Sequence, residues 1–388
     1  MIDKLNKEVL ELDYSKIREF SNYAQKQQAQ YFLTIGEPDN NSPSIVKEAT
    51  RLAIKNNQTH YSPDNGYLKL REKISEFEKK QNKVDYTSDE VLITVGSTEA
   101  ITISLKAILN PDDELMVFLP AYPLYKQLCK LYNCKFIGIE IFKNDFEVTK
   151  ELLEANYSLK TKCLVLNNPN NPTGLLLSDK SLENIYEFVK EKKLFVVCDD
   201  TYNNIVFKDG FKPFSSFTDL KEQIIVCQSF SKTYAMTGWR IGYLLADKKI
   251  MNYIHKVHQY SVVCVNSFIQ EGALKAIDYD IYKYKKDFQA KRDYSYQRLK
   301  AMNLKVKKPM GAFYIFPNIE EFEMTSLEFC QELVTAKKVA ITPSSCFDAE
   351  GFVRIAYCVS MECLIQALDL LEEFISEKRK ELKLRKTS

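Results

Sequence analysis

One lysine, Lys232, lies among residues whose types and spacing could carry out covalent chemistry. The segment reads Ser229-Phe230-Ser231-Lys232 and directly follows an apolar stretch, residues 224–229. A lysine near the end of a buried strand can lose its charge, and its amine then becomes a nucleophile toward aldehydes. Arg240, eight residues later, and the two serines carry groups that bind a phosphate. Taken alone, a Ser-x-x-Lys sequence is equally consistent with an ordinary loop.

A second anion site is indicated by Gly96-Ser97-Thr98. This tripeptide follows the apolar residues 91–95 and precedes the helical pattern of residues 100–109. Free backbone N–H groups, the helix dipole and two hydroxyls together make such a helix start a phosphate site. The ordinary alternative is a Ser/Thr helix cap without a ligand.

Two further residues follow apolar runs and could contact a ring. Asp199 ends the run Leu194-Phe195-Val196-Val197-Cys198, and a carboxylate buried there needs a cationic partner. Tyr122 lies in a proline-bounded turn, where its ring could stack on a heteroaromatic group. The alternatives are a helix cap for Asp199 and plain packing for Tyr122.

Arg354 stands within an apolar strand pattern, Phe352-Val353-Arg354-Ile355-Ala356. A buried arginine needs an anion, and the α-carboxylate of an amino acid would fit its two-pronged guanidinium. An internal salt bridge is the alternative. Asn171-Pro172-Thr173-Gly174 predicts a turn, because these residue types favour bends, and a loop without ligand contact is the alternative there.

The elements that must position these residues are predicted from hydrophobic patterning. Six apolar runs alternate with helical patterns between about residues 90 and 245, which is typical of an α/β domain with a mostly parallel sheet. The predicted strands are residues 91–95, 114–118, 162–167, 194–199, 224–229 and 241–245. In such sheets ligands collect beyond the strand ends. After about residue 275, a long charged helix over residues 282–302 and mixed elements predict a second, smaller domain.

Taken together, these segments resemble the class I/II aminotransferases, the fold type I pyridoxal-phosphate enzymes. The matching motifs cover nearly the whole chain in order: Gly36-Glu37-Pro38, Tyr61 with Gly66, Gly96-Ser97-Thr98-Glu99-Ala100, Pro120-Ala121-Tyr122-Pro123, Asn168-Pro169-Asn170-Asn171-Pro172-Thr173-Gly174, Asp199 with Tyr202, Ser229 to Gly242, Gly311-Ala312-Phe313-Tyr314 and Arg354. The resemblance implies a seven-stranded, mostly parallel sheet in a large domain, residues 41–280. It also implies a smaller α+β domain, residues 281–388, against which the N-terminal segment, residues 1–40, packs.

The resemblance implies pyridoxal 5'-phosphate as cofactor, held as a Schiff base by Lys232. Asp199 would pair with the pyridine nitrogen, and Tyr202 and Asn171 would bind the phenolic oxygen. The phosphate would be bound by Gly96, Ser97, Thr98, Ser229 and Arg240. Tyr122 would stack on the ring, and the substrate would be bound by Gly36, Asn171 and Arg354. The Asn171-Pro172 bond is expected to be cis. Tyr61 would reach the cofactor phosphate of a neighbouring subunit, which implies a homodimer with shared active sites.

The expected activity is ping-pong transfer of an amino group from an L-amino acid to a 2-oxo acid, with Lys232, Asp199 and Tyr202 as the catalytic residues. A C–S β-lyase on the same fold is the runner-up, because the fold alone does not fix the reaction. A cofactor-sensing domain of a transcription regulator is weaker, since the chain leaves no room for a DNA-binding domain. Segments 235–242 and 257–260 are most similar to the bacterial aromatic and N-acetyl-diaminopimelate aminotransferases.

Substrate choice is less determined by the sequence. Thr98 stands where aspartate-directed relatives often have a lysine, and it cannot pair with a second carboxylate. The branch commonly has a Pro-Gly-Ser-x-Phe-Gly loop, whereas this chain reads Pro343-Ser344-Ser345-Cys346-Phe347-Asp348. Losing both glycines stiffens a segment expected near the substrate.

Composition excludes several other classes. Lys and Arg number 54 against 52 Asp and Glu, so no general field attracts nucleic acid or anionic membranes. The start of the chain lacks a secretory signal pattern, and no apolar run approaches membrane-spanning length. Ten scattered cysteines predict buried free thiols in a reducing cytoplasm. No metal site is expected: His255 and His258 could share a metal, but a plain helix surface is the stronger interpretation.

Overall fold

The computed structural model describes residues 1–387, which form eleven strands and fourteen α-helices. The strands are β1 Tyr31–Leu33, β2 Val91–Thr94, β3 Glu114–Leu119, β4 Lys135–Glu140, β5 Thr161–Leu166, β6 Phe195–Asp199, β7 Ile224–Ser229, β8 Gly242–Ala246, β9 Tyr314–Ile315, β10 Val339–Pro343 and β11 Val353–Ala356. The helices are α1 Lys7–Leu10, α2 Lys16–Lys26, α3 Ser44–Lys55, α4 Leu68–Gln81, α5 Gly96–Ile108, α6 Leu124–Leu131, α7 Lys150–Ala155, α8 Asp179–Lys192, α9 Phe230–Thr233, α10 Lys248–Val262, α11 Ser267–Ala276, α12 Tyr282–Ala301, α13 Ser326–Lys337 and α14 Met361–Thr387.

Seven strands form the central sheet in the order β2-β8-β7-β6-β5-β3-β4. β7, β6, β5, β3 and β4 pair in parallel, whereas β8 runs antiparallel to both β7 and β2. The mostly parallel seven-stranded sheet is therefore confirmed, and the six predicted strands are present within one or two residues. The apolar runs were readable because strands covered on both faces are apolar throughout.

A second sheet of four strands has the order β1-β10-β11-β9. β1, from the N-terminal segment, pairs in parallel with β10, so the start of the chain packs on the C-terminal third. Phe20 and Leu33 share a core with Phe288, Phe313 and Phe374. The small sheet thus has a core separate from the two buried clusters that cover the faces of the central sheet. The domain boundaries at residues 40 and 280 stay a prediction.

The direction of the strands brings the polar residues to one edge. β6 ends at Asp199, β7 ends at Ser229 and β3 ends three residues before Tyr122. β2 runs in the same direction as β7, because each is antiparallel to β8, and α5 begins two residues after β2. Ligands in open α/β sheets bind at this edge. Over residues 1–387 there is no helix with the length and apolar character needed to cross a membrane.

Candidate active site

Lys232 projects from the short helix α9, immediately after β7. The Ser229 hydroxyl accepts the Ser231 N–H at 3.1 Å and so caps the start of this helix. The Lys232 amine donates to the Gly36 carbonyl at 2.7 Å. Burial lowers the pKa of Lys232; Cys358 and Glu37 oppose this shift, and Arg240 and Arg354 add to it. The amine is thereby held toward its neutral, nucleophilic form.

Gly36 permits the N-terminal segment to approach this amine. A Cβ atom at Gly36 would lie 1.7 Å from the Tyr314 hydroxyl, so any other residue would displace the segment. The Tyr314 hydroxyl in turn is 2.8 Å from the Tyr202 hydroxyl. Tyr202 therefore lies beside Lys232, in contact with the same tyrosine as Gly36.

Asp199 is buried at the end of β6, and its carboxylate contacts two hydroxyls. The Tyr125 hydroxyl donates at 2.6 Å and the Thr201 hydroxyl at 2.7 Å. Burial raises the pKa of Asp199, although both hydroxyls and the Lys232 charge oppose the shift. A cation placed against Asp199 would relieve this penalty. Asp200 points elsewhere, toward the Ser215 hydroxyl at 3.3 Å.

Gly96 and Arg240 meet at the start of α5. Gly96 has a φ of +76°, and a Cβ atom there would lie 3.1 Å from the Arg240 guanidinium. The guanidinium donates to the Thr237 carbonyl at 2.9 Å, and no carboxylate of residues 1–387 forms an ion pair with it. The first N–H groups of α5, at Gly96, Ser97 and Thr98, have no partner within the helix. This corner can therefore bind an anion such as phosphate.

Arg354 is buried on β11, with 2% of its surface exposed. Its guanidinium donates to the Asn171 side-chain oxygen at 2.8 Å, to the Thr34 carbonyl and to the Thr342 hydroxyl at 3.3 Å. Its Nε has no partner, and within the described residues no carboxylate forms an ion pair with it. An internal salt bridge is thus not the explanation for this arginine, which can accept an anionic ligand.

The expected cis bond at Asn171-Pro172 is wrong. The cis bonds are Leu119-Pro120 and Asn168-Pro169. The Asn171-Pro172 bond is trans, and in that conformation the turn is closed by the Gly174 N–H, which donates to the Asn170 carbonyl at 2.8 Å. Asn171 still faces the cleft, because its side-chain oxygen holds Arg354.

Tyr122 and Tyr61 differ in their surroundings. Tyr122 is half-buried beside Tyr125, with ring centroids 6.0 Å apart at an interplanar angle of 84°. Tyr61 is 87% exposed and lies on the surface of the chain. Tyr122 thus belongs to the cleft, and a role of Tyr61 in a neighbouring subunit stays a prediction.

A cavity of about 210 Å³ extends outward from Tyr122. Lys16 at the start of α2 and Cys346 form parts of its wall. Lys126 and Asp348 also line it and pair with each other at 2.8 Å. The segment 344–347, where the branch has glycines, forms a 3₁₀ helix whose Phe347 ring lies under the Arg354 guanidinium, 4.8 Å away.

Comparison with known proteins agrees with this geometry. Residues 30–371 match the family model described as aminotransferase class I and II. The chain belongs to this aminotransferase family. It is 39% identical to the probable N-acetyl-LL-diaminopimelate aminotransferase of Bacillus subtilis, with 97% of this chain and 96% of that protein covered. It is 35% identical to aromatic-amino-acid aminotransferase 2 of Thermococcus litoralis, covering 94% and 96%. The aspartate aminotransferase structure from Thermotoga maritima superposes with a TM-score of 0.90 at 31% identity, covering 96% and 100%.

Members of this family use pyridoxal phosphate, and the residues present fit that cofactor. The cleft offers a buried lysine amine for the aldehyde, and Asp199 is a buried carboxylate without a cationic partner for a protonated ring nitrogen. The corner at Gly96 and Arg240 offers free donors for the phosphate. The chain is a pyridoxal-phosphate-dependent aminotransferase. Within residues 1–387 no group of three or more His, Cys, Asp or Glu residues could hold a metal ion.

Sequence reasoning missed two groups that the structure places near these residues. Tyr125 and Thr201 hold the Asp199 carboxylate. Tyr125 lies only three residues after Tyr122, in the first turn of α6, and Thr201 lies two residues after Asp199, so both were close in sequence to residues already singled out. His258 was interpreted as plain helix surface, but it is fully buried against Glu99. Only the packing of α10 on α5 reveals which face of α10 is covered.

Proposed function

We propose that the cleft around Lys232 is the transamination site, with Lys232, Asp199 and Tyr202 as the catalytic residues. One observation carries the proposal: Lys232, whose pKa is lowered, shares a cleft with the buried Asp199 and the buried Arg354. Apart from the charge of Lys232, which acts on Asp199, neither of these two has an ionic partner in the described chain. The amine, the carboxylate and the guanidinium match an aldehyde, a ring nitrogen and an α-carboxylate in turn.

The cofactor would be held mainly by residues at or beyond the ends of five strands, β2, β3, β5, β6 and β7. Pyridoxal phosphate supplies an aldehyde that bonds reversibly to amines and a protonated ring that withdraws electrons from the substrate. Lys232 would bind the aldehyde, Asp199 the ring nitrogen and Tyr122 the ring face. The remaining contacts would be Tyr202 and Asn171 to the phenolic oxygen, and Gly96, Ser97, Thr98, Ser229 and Arg240 to the phosphate.

The substrate would be oriented by Arg354, with Asn171 beside it and the Gly36 backbone across the cleft. A two-pronged guanidinium fixes the direction of an α-carboxylate, which in turn fixes the Cα–H bond. Lys232 Nζ, whose lowered pKa favours the neutral form, would remove the proton from Cα as a general base. The Gly36 carbonyl, 2.7 Å from that amine, would hold it in place whenever the amine is free.

The substrate side chain would enter the cavity beyond Tyr122. Its walls combine the Tyr122 ring with Lys16 and the Cys346 thiol, so the cavity can take aromatic or polar side chains. A panel of amino donors with 2-oxoglutarate or pyruvate as acceptor would identify the substrate. Replacing Lys16 with Met should change the ranking between acidic and aromatic donors, while a donor-independent loss would place the side chain elsewhere.

Transfer is distinguished from elimination by its products. A transaminase needs a 2-oxo acid acceptor and gives parallel double-reciprocal lines when both substrates are varied. A β-lyase releases ammonia and pyruvate from a cysteine conjugate without any acceptor. We expect acceptor-dependent turnover; ammonia and pyruvate release without an acceptor, at a rate exceeding transfer, would favour the lyase.

We also propose a homodimer with shared active sites. The support is a set of exposed apolar side chains on helices α3 and α10: Ile45, Leu52, Ile54, Tyr253 and Tyr260. Single exposed apolar residues are ordinary, but a subunit interface would cover several of this kind.

Hybrid dimers test the sharing. A subunit with Lys232→Ala and a subunit with Tyr61→Phe would together form one site with both native residues. We expect that hybrid to bind cofactor at one site with wild-type affinity, and light scattering to give twice the 45.1 kDa chain mass. A monomer, or hybrids without a tight site, would contradict the sharing.

The ten free cysteines also support a cytoplasmic location, where thiols stay reduced.

A further inference from the structure

His258 on α10 has an environment unlike that of the other residues on its helix. Its side chain has 0% of its surface exposed. The ring Nδ1 is 2.7 Å from a Glu99 carboxylate oxygen, and the ring Nε2 is 2.8 Å from the Asp64 carbonyl oxygen. Glu99 is itself nearly buried, at 9% exposure. Neither His258 nor Glu99 takes part in the mechanism described above.

Counting hydrogens determines the charge of this pair. The Asp64 carbonyl can only accept, so Nε2 must carry a hydrogen. A hydrogen must also lie between Nδ1 and the Glu99 carboxylate, because this 2.7 Å contact joins a ring nitrogen to a carboxylate oxygen. The second Glu99 oxygen accepts the Val95 N–H. With both hydrogens present the pair is neutral as a whole, so His258 balances the charge of Glu99.

Glu99 is the part of this pair that approaches the proposed phosphate corner. It lies one residue beyond Thr98, and its bond to the Val95 N–H ties the first turn of α5 to the end of β2. A carboxylate here fixes the turn but would also repel a phosphate bound at residues 96–98. A cation directly behind Glu99 cancels that repulsion while leaving the turn fixed.

Other charged groups surround the pair from each packed element. Asp64 lies on the loop after Tyr61; burial opposes its ionisation, but the Gln259 amide, His255, the Asn65 N–H and His258 together lower its pKa. His255 is 3.4 Å from the Asp64 carboxylate, and Arg71 of α4 adds positive charge near His255. The pair thus links the corner at residues 96–98 to the loop that carries Tyr61.

We propose that the buried ion pair of His258 and Glu99 positions the phosphate-binding turn and cancels the negative charge behind it. His258 is then a positioning residue that acts through Glu99. This inference rests on the proposed placement of the cofactor phosphate at residues 96–98. The pair is therefore expected to affect the binding of the cofactor phosphate and not the binding of the aldehyde.

Cofactor affinity measures this selectivity. Full-length protein freed of cofactor is titrated with pyridoxal phosphate and, separately, with pyridoxal, which lacks the phosphate. His258→Gln leaves Glu99 without its counter-charge, and the loss of a charge-assisted hydrogen bond corresponds to about a tenfold or larger rise in the Kd for pyridoxal phosphate. The Kd for pyridoxal should change by less than about twofold. His255→Gln, three residues away on the same helix, is the matched control and should leave both constants unchanged.

A double variant separates charge from general damage. In Glu99→Gln with His258→Gln the pair is neutral, so the repulsion is gone and the Kd for pyridoxal phosphate should return to within about threefold of wild type. Equal weakening toward both ligands, or no recovery in the double variant, would overturn the proposal. If wild type itself shows no preference for the phosphorylated ligand, the placement of the phosphate fails instead.

The wild-type protein provides an independent measurement if the variants do not fold. The chain has three histidines, so ¹⁵N-histidine labelling gives only three sets of ring signals. At pH 8 we expect one of the three rings to carry hydrogens on both nitrogens. Among the variants, only those at position 258 should lose the signal of that ring. Three neutral rings at pH 8 would refute the ion pair.

Discussion

Replacing Arg354 with Met removes the cation proposed to bind the substrate carboxylate while keeping a side chain of similar length. Truncating one partner of a buried, hydrogen-bonded charge pair costs about 2–5 kcal/mol. That range corresponds to a loss in kcat/KM of roughly thirtyfold to several thousandfold. We expect most of the loss in KM, since the carboxylate contact is present before the chemical step as well as during it.

Stability should respond differently from activity in the same variant. The guanidinium donates three hydrogen bonds, each contributing about 1 kcal/mol, and these are lost. The variant also removes a buried charge that has no ionic partner among the described residues. Removing that charge raises the free energy of unfolding by several kcal/mol at most. The two effects offset each other, so the free energy of unfolding should change by no more than about 2 kcal/mol.

The assay compares steady-state transfer by wild type, Arg354→Met and Arg354→Lys, with urea unfolding of each protein. Arg354→Lys keeps the charge without the two-pronged geometry and should give an intermediate kcat/KM. A primary amine without a carboxylate, used as a poor donor, should react equally with all three proteins. A kcat/KM for amino acids within threefold of wild type in Arg354→Met would refute the placement of the carboxylate.

Two other variants test buried carboxyl groups. Tyr125→Phe removes the hydroxyl that donates to Asp199 at 2.6 Å, so urea unfolding of the cofactor-free protein should show a loss of about 1.5–3 kcal/mol; an unchanged value would contradict the bond. Burial raises the pKa of Asp200 to about 8, with Asn203 opposing and Glu78 adding to the shift. The folded protein then keeps a proton that the unfolded chain releases above about pH 4, so wild type should lose stability as pH rises from 5 to 8, by up to about 1.4 kcal/mol per unit. Asp200→Asn should reduce that slope without removing it, because burial also raises the pKa of Asp199 and of Glu78; equal slopes in both proteins would contradict the shift.

The central sheet was predictable because its strands are buried on both faces and therefore read as apolar runs. β4 was not predicted, since it is an edge strand in which only Ile139 is fully buried and both ends are exposed. The pairing of β1 with β10 joins residues about 300 positions apart. Patterning within a segment carries no information about such a contact, and the resemblance alone indicated that the N-terminal segment packs on the small domain.

The site was predictable to the extent that its residues follow strands. Asp199, Ser229 and Lys232 come together because parallel strands end at one edge. His258 was not predictable in this way, because a helix position shows its partner only after packing.

The amine of Lys232 is the group on which the proposed chemistry depends most directly, and covalent trapping tests its reaction with the cofactor. Purified protein incubated with pyridoxal phosphate is reduced with borohydride, digested and analysed by mass spectrometry. We expect one cofactor adduct per chain, on the peptide that contains Lys232, and none on that peptide in Lys232→Ala, which should also show no transfer activity. An adduct confined to other lysines, or full activity in Lys232→Ala, would contradict the account.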